Sequence, residues 1–350
     1  MSVAESPPRA DVEVIETDDA ARWDAFVRAR PGGTVCHLSA WREVILNALG
    51  HPTRLYAAVD GDGEWAGVMP LATVRSRIFG NYLVSMPFLN DGGPVGDERS
   101  RARLAERAIE EGRTAGVDLV ELRTREPVPA AATAPPRKVT RHLPLPATAD
   151  ELWEKGFRAK LRSQVRRPMK EGMEFRAGPG ELDAFYAVFA RNMRDLGTPV
   201  LPRAWFEQIA RRLPEVACFG AVYRAGTPVA GGCALAWRGE MEITWASSLR
   251  EHAAAAPNML LYWGMMQEAI ARGCTVFNFG RCSPESATHR FKAQWGGQDV
   301  PLPWLEWSPR GVVSTPSPDR PLYRLAARTW SRLPLAVANR LGPVLSRQIP

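Results

Sequence analysis

Cys218-Phe219-Gly220-Ala221-Val222-Tyr223-Arg224-Ala225-Gly226-Thr227-Pro228-Val229-Ala230-Gly231-Gly232-Cys233-Ala234-Leu235-Ala236-Trp237 is the stretch that decides the fold. Two apolar runs flank Ala225-Gly226, and glycine supplies the positive φ that a tight hairpin turn requires. Cys218–Tyr223 and Val229–Trp237 are therefore predicted to pair as a β-hairpin. Arg238-Gly239-Glu240 then turns the chain into a third strand, Met241–Ser247. Asn258–Arg272 reads as a helix stopped by Gly273, and Thr275–Phe279 as a short buried strand. A helix over Leu182–Asn192 precedes the hairpin.

The same order occurs once before. Arg54–Asp60 and Trp65–Val74 form a hairpin around Gly61-Asp62-Gly63, Arg99–Arg113 a helix, and Val117–Arg123 a strand. Ala58-Val59, Gly61, Ala66-Gly67 and Leu71 align with Ala221-Val222, Gly226, Ala230-Gly231 and Leu235. Ala108-Ile109 and Gly116 align with Ala269-Ile270 and Gly273. The offsets are 163 from Ala58 to Ala221, 164 from Ala66 to Ala230 and 157 from Gly116 to Gly273. Such regularity points to duplication of one α/β module. Helices Ala20–Ala29, ending at Pro31-Gly32-Gly33, and Ser39–Leu49, with Ser39 as N-cap and Gly50 as stop, lead into the first copy. Residues 127–136, with four prolines among alanines, form a loop or linker.

A length of 350 residues fits about two domains. We divide the chain into an N-terminal module (1–146), a C-terminal module (147–310) and a basic amphipathic tail (311–350). Hydrophobic residues make up 45% and charged residues 24%, which excludes wholesale disorder. The net charge of +7 is concentrated. Lys155–Arg176 holds eight basic and two acidic residues (+6), and Arg310 to the C-terminus holds seven Arg and one Asp (+6), leaving −5 elsewhere. Two basic patches on an acidic body predict localised anion contacts, not a nucleic-acid coat. The five cysteines have no C-x-x-C spacing and are expected as buried, reduced thiols of a cytoplasmic protein. The five histidines lack metal spacing, so no metal site is expected. Met1–Glu16 has no apolar core of a signal peptide, and no run approaches the ~20 apolar residues of a membrane span.

Three segments carry candidate chemistry. In Ala147–Gly172, Thr148-x-x-Glu151 is a capping-box pattern, Trp153, Phe157, Leu161 and Val165 form an apolar stripe, and Pro168 should end or kink the helix. Arg158, Arg162 and Arg166 recur one residue later, about 100° around the helix, and with Arg167 they form a row suited to phosphates. Asn192, Arg194, Asp195 and Thr198 gather at a helix end as a substrate-orienting loop, with Asp195 placed to bind or deprotonate an amine. After the strand ending at Gly280, Arg281 sits at the rim, and Lys292, one of five lysines, lies between Phe291 and Trp295. A lysine there can stabilise an oxyanion or a phosphate. His289 and Cys282 lack a third orienting group and are read as structural. Gly61-Asp62-Gly63 has no following helix, so it is not a dinucleotide fingerprint.

The Asn192–Thr198 loop, Pro257-Asn258 with Trp263, Phe279-Gly280-Arg281 and Phe291-Lys292 with Gly296 together resemble the FemAB-like branch of the GNAT acyltransferase superfamily. They are most similar to FemAB-related proteins of the exosortase (XrtA/PEP-CTERM) and exopolysaccharide systems. The likeness covers about residues 35–310 and extends to the tail, Trp330-Ser331 through Leu341-Gly342-Pro343. It implies tandem GNAT-like domains with mixed central sheets flanked by helices, an α/β (α+β) fold. Fem enzymes transfer an aminoacyl group from aminoacyl-tRNA to an amine of a cell-wall precursor. The resemblance therefore implies amide formation on a cell-envelope or exopolysaccharide precursor, with Lys292 supporting the transition state and Arg162, Arg166 and Arg167 holding phosphates. No tightly bound cofactor is expected; the donor is aminoacyl-tRNA or an acyl-CoA-type thioester. Asn258, Phe291 and Arg281 complete the expected substrate contacts. One departure is Leu249–Asn258, where the glycine-bearing pyrophosphate loop of acetyl-CoA-dependent relatives would lie; it has no glycine. Acetyl-CoA-dependent N-acetylation and a non-catalytic scaffold are the alternatives. In the tail, Leu325, Trp330, Leu333, Leu335, Val337 and Leu341 interleave with Arg324, Arg328, Arg332 and Arg340, a pattern for peripheral contact with anionic membrane.

Overall fold

A computed structural model describes residues 12–76, 79–129, 136–311 and 321–349. Its strands are β1 (Glu13–Thr17), β2 (Thr53–Val59), β3 (Trp65–Ser76), β4 (Gly80–Val84), β5 (Val95–Gly96), β6 (Leu119–Leu122), β7 (Lys138–Pro144), β8 (Met173–Ala177), β9 (Ala217–Arg224), β10 (Thr227–Trp237), β11 (Glu240–Ser248), β12 (Val276–Asn278), β13 (Gln298–Leu302) and β14 (Leu305–Trp307). They form two seven-stranded mixed sheets, one in the order β1-β2-β3-β4-β6-β14 with β5 on β3, the other β13-β7-β12-β11-β10-β9-β8.

The duplicated unit is visible in both. A hairpin (β2–β3 or β9–β10) is followed by an antiparallel third strand (β4 or β11), a crossover helix (Glu98–Thr114 or Pro257–Ala271) and a strand parallel to the third (β6 or β12). The turn residues explain the hairpins: Ala225 and Gly226 sit at φ 48° and 77°, and Arg238 and Gly239 at 46° and 81°. Both hairpins carry a bulge, with Ala66 and Val229 as the extra residues. The alignment of Ala66-Gly67 with Ala230-Gly231 is one residue out. Gly67 faces its crossover helix, where a Cβ would lie 2.8 Å from Ser100 Cβ, whereas Gly231 faces the helix Leu182–Asp195, where a Cβ would lie 2.8 Å from Phe185 Cα. One step along a strand exchanges faces.

The two units exchange strands. β7, on the N-terminal side of the 146/147 division, pairs with β12 and β13 in the second sheet, and β14 returns to β6 in the first. Residues 130–135 of the linker, Met1–Asp11 and tail residues 312–320 lie outside the described residues. A shared core also joins the units. Trp41 and Trp205, both fully buried, approach to 5.6 Å between ring centroids where the helices Trp41–Leu49 and Arg203–Arg212 pack. Ser39 does not cap the first of these; its backbone N–H and hydroxyl donate to Asp24 at 2.8 and 3.0 Å, and the helix begins at Trp41.

The four-residue stripe from Trp153 to Val165 does not form one helix. A π-turn at Leu152–Gly156 ends in extended backbone at Phe157, and a new helix runs Ala159–Lys170. The break frees backbone carbonyls, and Arg162 satisfies three of them: Trp153 O and Glu154 O at 3.2 Å and Phe157 O at 2.5 Å. Pro168 lies inside this helix, which ends two residues later at Lys170. All five cysteines are free and buried.

Candidate functional site

In the second sheet β11 and β12 pair over only three positions, Glu240–Glu242 against Val276–Asn278. β11 then continues to Ser248 without a partner on that edge, bulged at Thr244, so the strands splay. Two residues past the end of β12, Gly280 sits at φ 69°, where a Cβ would lie 3.0 Å from Ile243 O. A splay of this kind leaves backbone donors and acceptors of one strand open to an extended ligand.

Lys292 stands at this opening. Ser286 caps the short helix Ala287–Ala293, its hydroxyl accepting from His289 N at 3.1 Å. The helix buries Lys292 to 4% exposure and presents Phe291 to Tyr262 at 5.0 Å between centroids. The Lys292 ammonium donates to Gly280 O at 2.6 Å and Arg281 O at 2.9 Å. No carboxylate among the described residues lies within ion-pair distance of it. Burial pushes its pKa down to about 8, although Cys282 and Glu242 pull the other way. Arg281 stacks over Trp304 at 5.1 Å, beside Arg123, which stacks on the same ring at 4.9 Å. Burial and the Arg123 charge push Arg281 down to about 10.

The predicted basic row divides among several tasks. Arg162 is occupied by backbone carbonyls as described, Arg166 stacks over Trp153 at 5.1 Å, and Arg158 is exposed at the start of its helix. Arg167 lines a cavity of about 290 Å³ with Asn258, Phe291, Gln164 and Gln294 at the N-terminus of the helix Pro257–Ala271. Backbone donors are scarce there. Ala256 N donates to Ala253 O and Met259 N to Ala256 O, both at 3.0 Å, and Pro257 has no N–H. Ala256 itself sits at φ 58°. Of the predicted row, Arg167 is the arginine that lines this cavity.

The Asn192–Thr198 loop divides as well. Asn192 reaches β11, its amide donating to Ser247 Oγ at 3.0 Å. Asp195 is held by Arg194 at 2.7 Å, and Arg194 also donates to Leu333 O of the tail at 2.9 Å. Gly197 packs on Ala327, so the tail covers this corner, and Thr198 is exposed. His289 binds Asp299 at 2.7 Å and not Cys282.

A cluster the sequence reading missed lies where the modules meet. Arg125 grips Glu240 with two hydrogen bonds of 3.0 and 2.8 Å and reaches Asp91 at 2.5 Å. Glu242 accepts from Asn90 at 2.5 Å, Thr244 at 2.9 Å and Asn278 at 3.2 Å. Burial and then the neighbouring Glu240 raise the Glu242 carboxyl against the pull of Arg125, whereas Arg125 and its hydrogen bonds overcome burial and hold Glu240 below the usual range. Glu240, Glu242 and Arg125 line a second cavity with Thr34, Leu235 and Trp237. Asn278 connects the two regions, since its carbonyl accepts from Gly280 N at 2.8 Å. The available signal was two acids at alternate positions of an otherwise apolar strand, both on one face.

Residues 155–293 match the family model of the acetyltransferase (GNAT) domain. Among solved structures the chain is similar to FemX, with 17% identity, 90% of this chain and 100% of that chain covered, and a TM-score of 0.62. It is similar to L-PGS from Bacillus licheniformis at 16% identity, with 90% and 98% covered and a TM-score of 0.52. A tandem GNAT protein from the clavulanic acid biosynthesis pathway aligns at 13% identity, with 87% and 100% covered and a TM-score of 0.54. No curated protein matches the chain. The fold is a tandem GNAT-like architecture, and the protein is an acyltransferase, with the GNAT-domain match confined to residues 155–293.

Proposed function

We propose that the protein transfers an acyl or aminoacyl group to an amine of a cell-envelope or exopolysaccharide precursor, forming an amide in the FemAB manner. One observation carries the reading: a buried ammonium, Lys292, stands at the splayed strands with carbonyl partners and no carboxylate within ion-pair distance among the described residues. An uncompensated buried cation favours negative charge beside it, as in the oxyanion of acyl transfer. The amine nitrogen attacks the donor carbonyl, a C–N bond forms, and the C–O or C–S bond to the donor breaks. Glu242, which lines a cavity and whose carboxyl burial raises, joins Asp195 as a group to accept the amine proton. That proton ends on the leaving oxygen or sulfur.

The cavity at the crossover-helix N-terminus supports an aminoacyl ester over acetyl-CoA. Its backbone donors are largely engaged, and Arg167, which faces Glu171 at 3.9 Å, offers a side-chain contact for phosphate. Transfer of a radiolabelled aminoacyl group from charged tRNA to a lipid-linked amino sugar tests this, alongside calorimetry with acetyl-CoA. We expect transfer from the tRNA and no acetyl-CoA heat. Tight acetyl-CoA binding with turnover would replace this reading by N-acetylation, the alternative that the GNAT family match favours.

A further inference from the structure

The tail contains a face that the catalytic site does not use. Helix Leu335–Ser346 buries Ala338, Gly342 and Ser346 against the body, and Gly342 fits there because a Cβ would come within 2.9 Å of Val200 Cγ1. Val337, Leu341 and Leu345 would share a face at four-residue spacing, but Leu345 is partly buried, and the outward row is Val337, Leu341 and Val344, exposed by 40%, 46% and 46%. Leu325, on helix Pro321–Trp330, is 61% exposed. Water-exposed apolar rows on a fixed scaffold are interaction surfaces.

The scaffold is fixed. His51 Nε2 hydrogen-bonds Arg347 O at 2.6 Å, Arg194 donates to Leu333 O at 2.9 Å, and Gly197 abuts Ala327. The face therefore keeps its direction relative to the cleft. Its charge is of one sign: residues 321–349 hold five arginines (Arg324, Arg328, Arg332, Arg340 and Arg347) and no Asp, Glu or Lys, a net of +5. All five are exposed, and none pairs with an acid among the described residues. No described helix is long and apolar enough to cross a membrane.

We infer that this face docks the protein on an anionic lipid bilayer, with Leu325, Val337, Leu341 and Val344 entering the headgroup boundary and the arginines meeting lipid phosphates. Charge complementarity selects that occupant over a second copy of the chain, which would bring two +5 faces together. The inference stands apart from the transferase reading, because its readout is partition and not turnover.

The test is co-sedimentation of the full chain with vesicles of phosphatidylglycerol and phosphatidylcholine, against phosphatidylcholine alone. We expect binding only to the anionic vesicles, falling steeply with salt. Arg324→Ala, Arg328→Ala and Arg340→Ala combined should weaken partition on the order of a hundredfold. Leu341→Ser with Val344→Ser, both exposed positions, should weaken it while the melting temperature stays unchanged. Equal binding by wild type and both variants, or none by wild type, overturns the inference. A wild-type dimer in light scattering that the serine pair dissolves, without vesicle binding, overturns it in favour of self-association. Vesicle binding without acyl transfer would leave the docking face standing and remove only the transferase reading.

Discussion

The two copies of the module differ most where their parallel strands end. In the N-terminal copy β4 stops at Val84, level with the end of its pairing to β6. The next residues fold back, and Arg123, 2% exposed, fills the space: it donates to Met86 O at 2.9 Å and Leu89 O at 2.7 Å and pairs with Glu121 at 2.7 Å. In the C-terminal copy the same register carries Glu242 and Asn278 in place of Val84 and Glu121, and Gly280 in place of Arg123. β11 runs on, bulged, and the gap stays open beside Lys292. One residue at the strand end separates a plugged splay from an open one.

The largest expected effect tests the plug. Arg123→Ala leaves Glu121 buried without its partner, which should cost about 3–5 kcal/mol of stability. Chemical denaturation should show that loss, while turnover per folded molecule stays near wild type. A loss of turnover with unchanged stability would mean that the N-terminal splay is also a working site.

Next comes the open copy. Lys292→Ala should lower the rate on the order of 10²–10³ with little change in melting temperature, as removal of one oxyanion donor does. Near wild-type turnover would remove Lys292 from the chemistry. The pH profile sharpens this. The folded pKa is lowered to about 8 from 10.5, so the ammonium is lost as pH rises through about 8. The rate should fall on that alkaline limb, and Lys292→Arg, if active, should move the limb to higher pH. The stability effect has the opposite sense. Between about pH 8 and 10.5 the unfolded chain holds a proton that the native state has released, so this group's contribution to stability rises with pH.

The smallest effect concerns the glycine that replaces the plug. Gly280→Ala places a Cβ at φ 69° and 3.0 Å from Ile243 O, a strain of about 1–2 kcal/mol. We expect roughly a tenfold loss of rate, by displacement of the carbonyls that hold Lys292. Unchanged kinetics would show that the exact path of Gly280–Arg281 is immaterial.

Much of the scaffold was legible because it is written in local chemistry. Ala225-Gly226 and Arg238-Gly239 mark turns, Gly50 and Gly273 stop helices, and the repeated order of elements announced the duplication. The site was legible only in part. Lys292 stood out as a scarce cation in an apolar segment, and Asn258, Arg167 and Phe291 do meet around one cavity. Arg162 was misleading, since four-residue spacing predicted a continuous helix and the chain breaks at Phe157. Asp195 looked available because the tail that holds its neighbour Arg194 is distant in sequence.

By itself the sequence determined the two hairpins, the crossover helices, their repetition and the basic stretches, since periodicity, turn residues and charge act over a few positions along the chain. Tertiary structure alone decided which strand entered which sheet, which arginines faced a cavity and which spent their donors on carbonyls. It also brought Glu242, Asp91 and Arg125 together from distant segments. Burial and hydrogen-bond competition depend on neighbours that only the folded chain supplies.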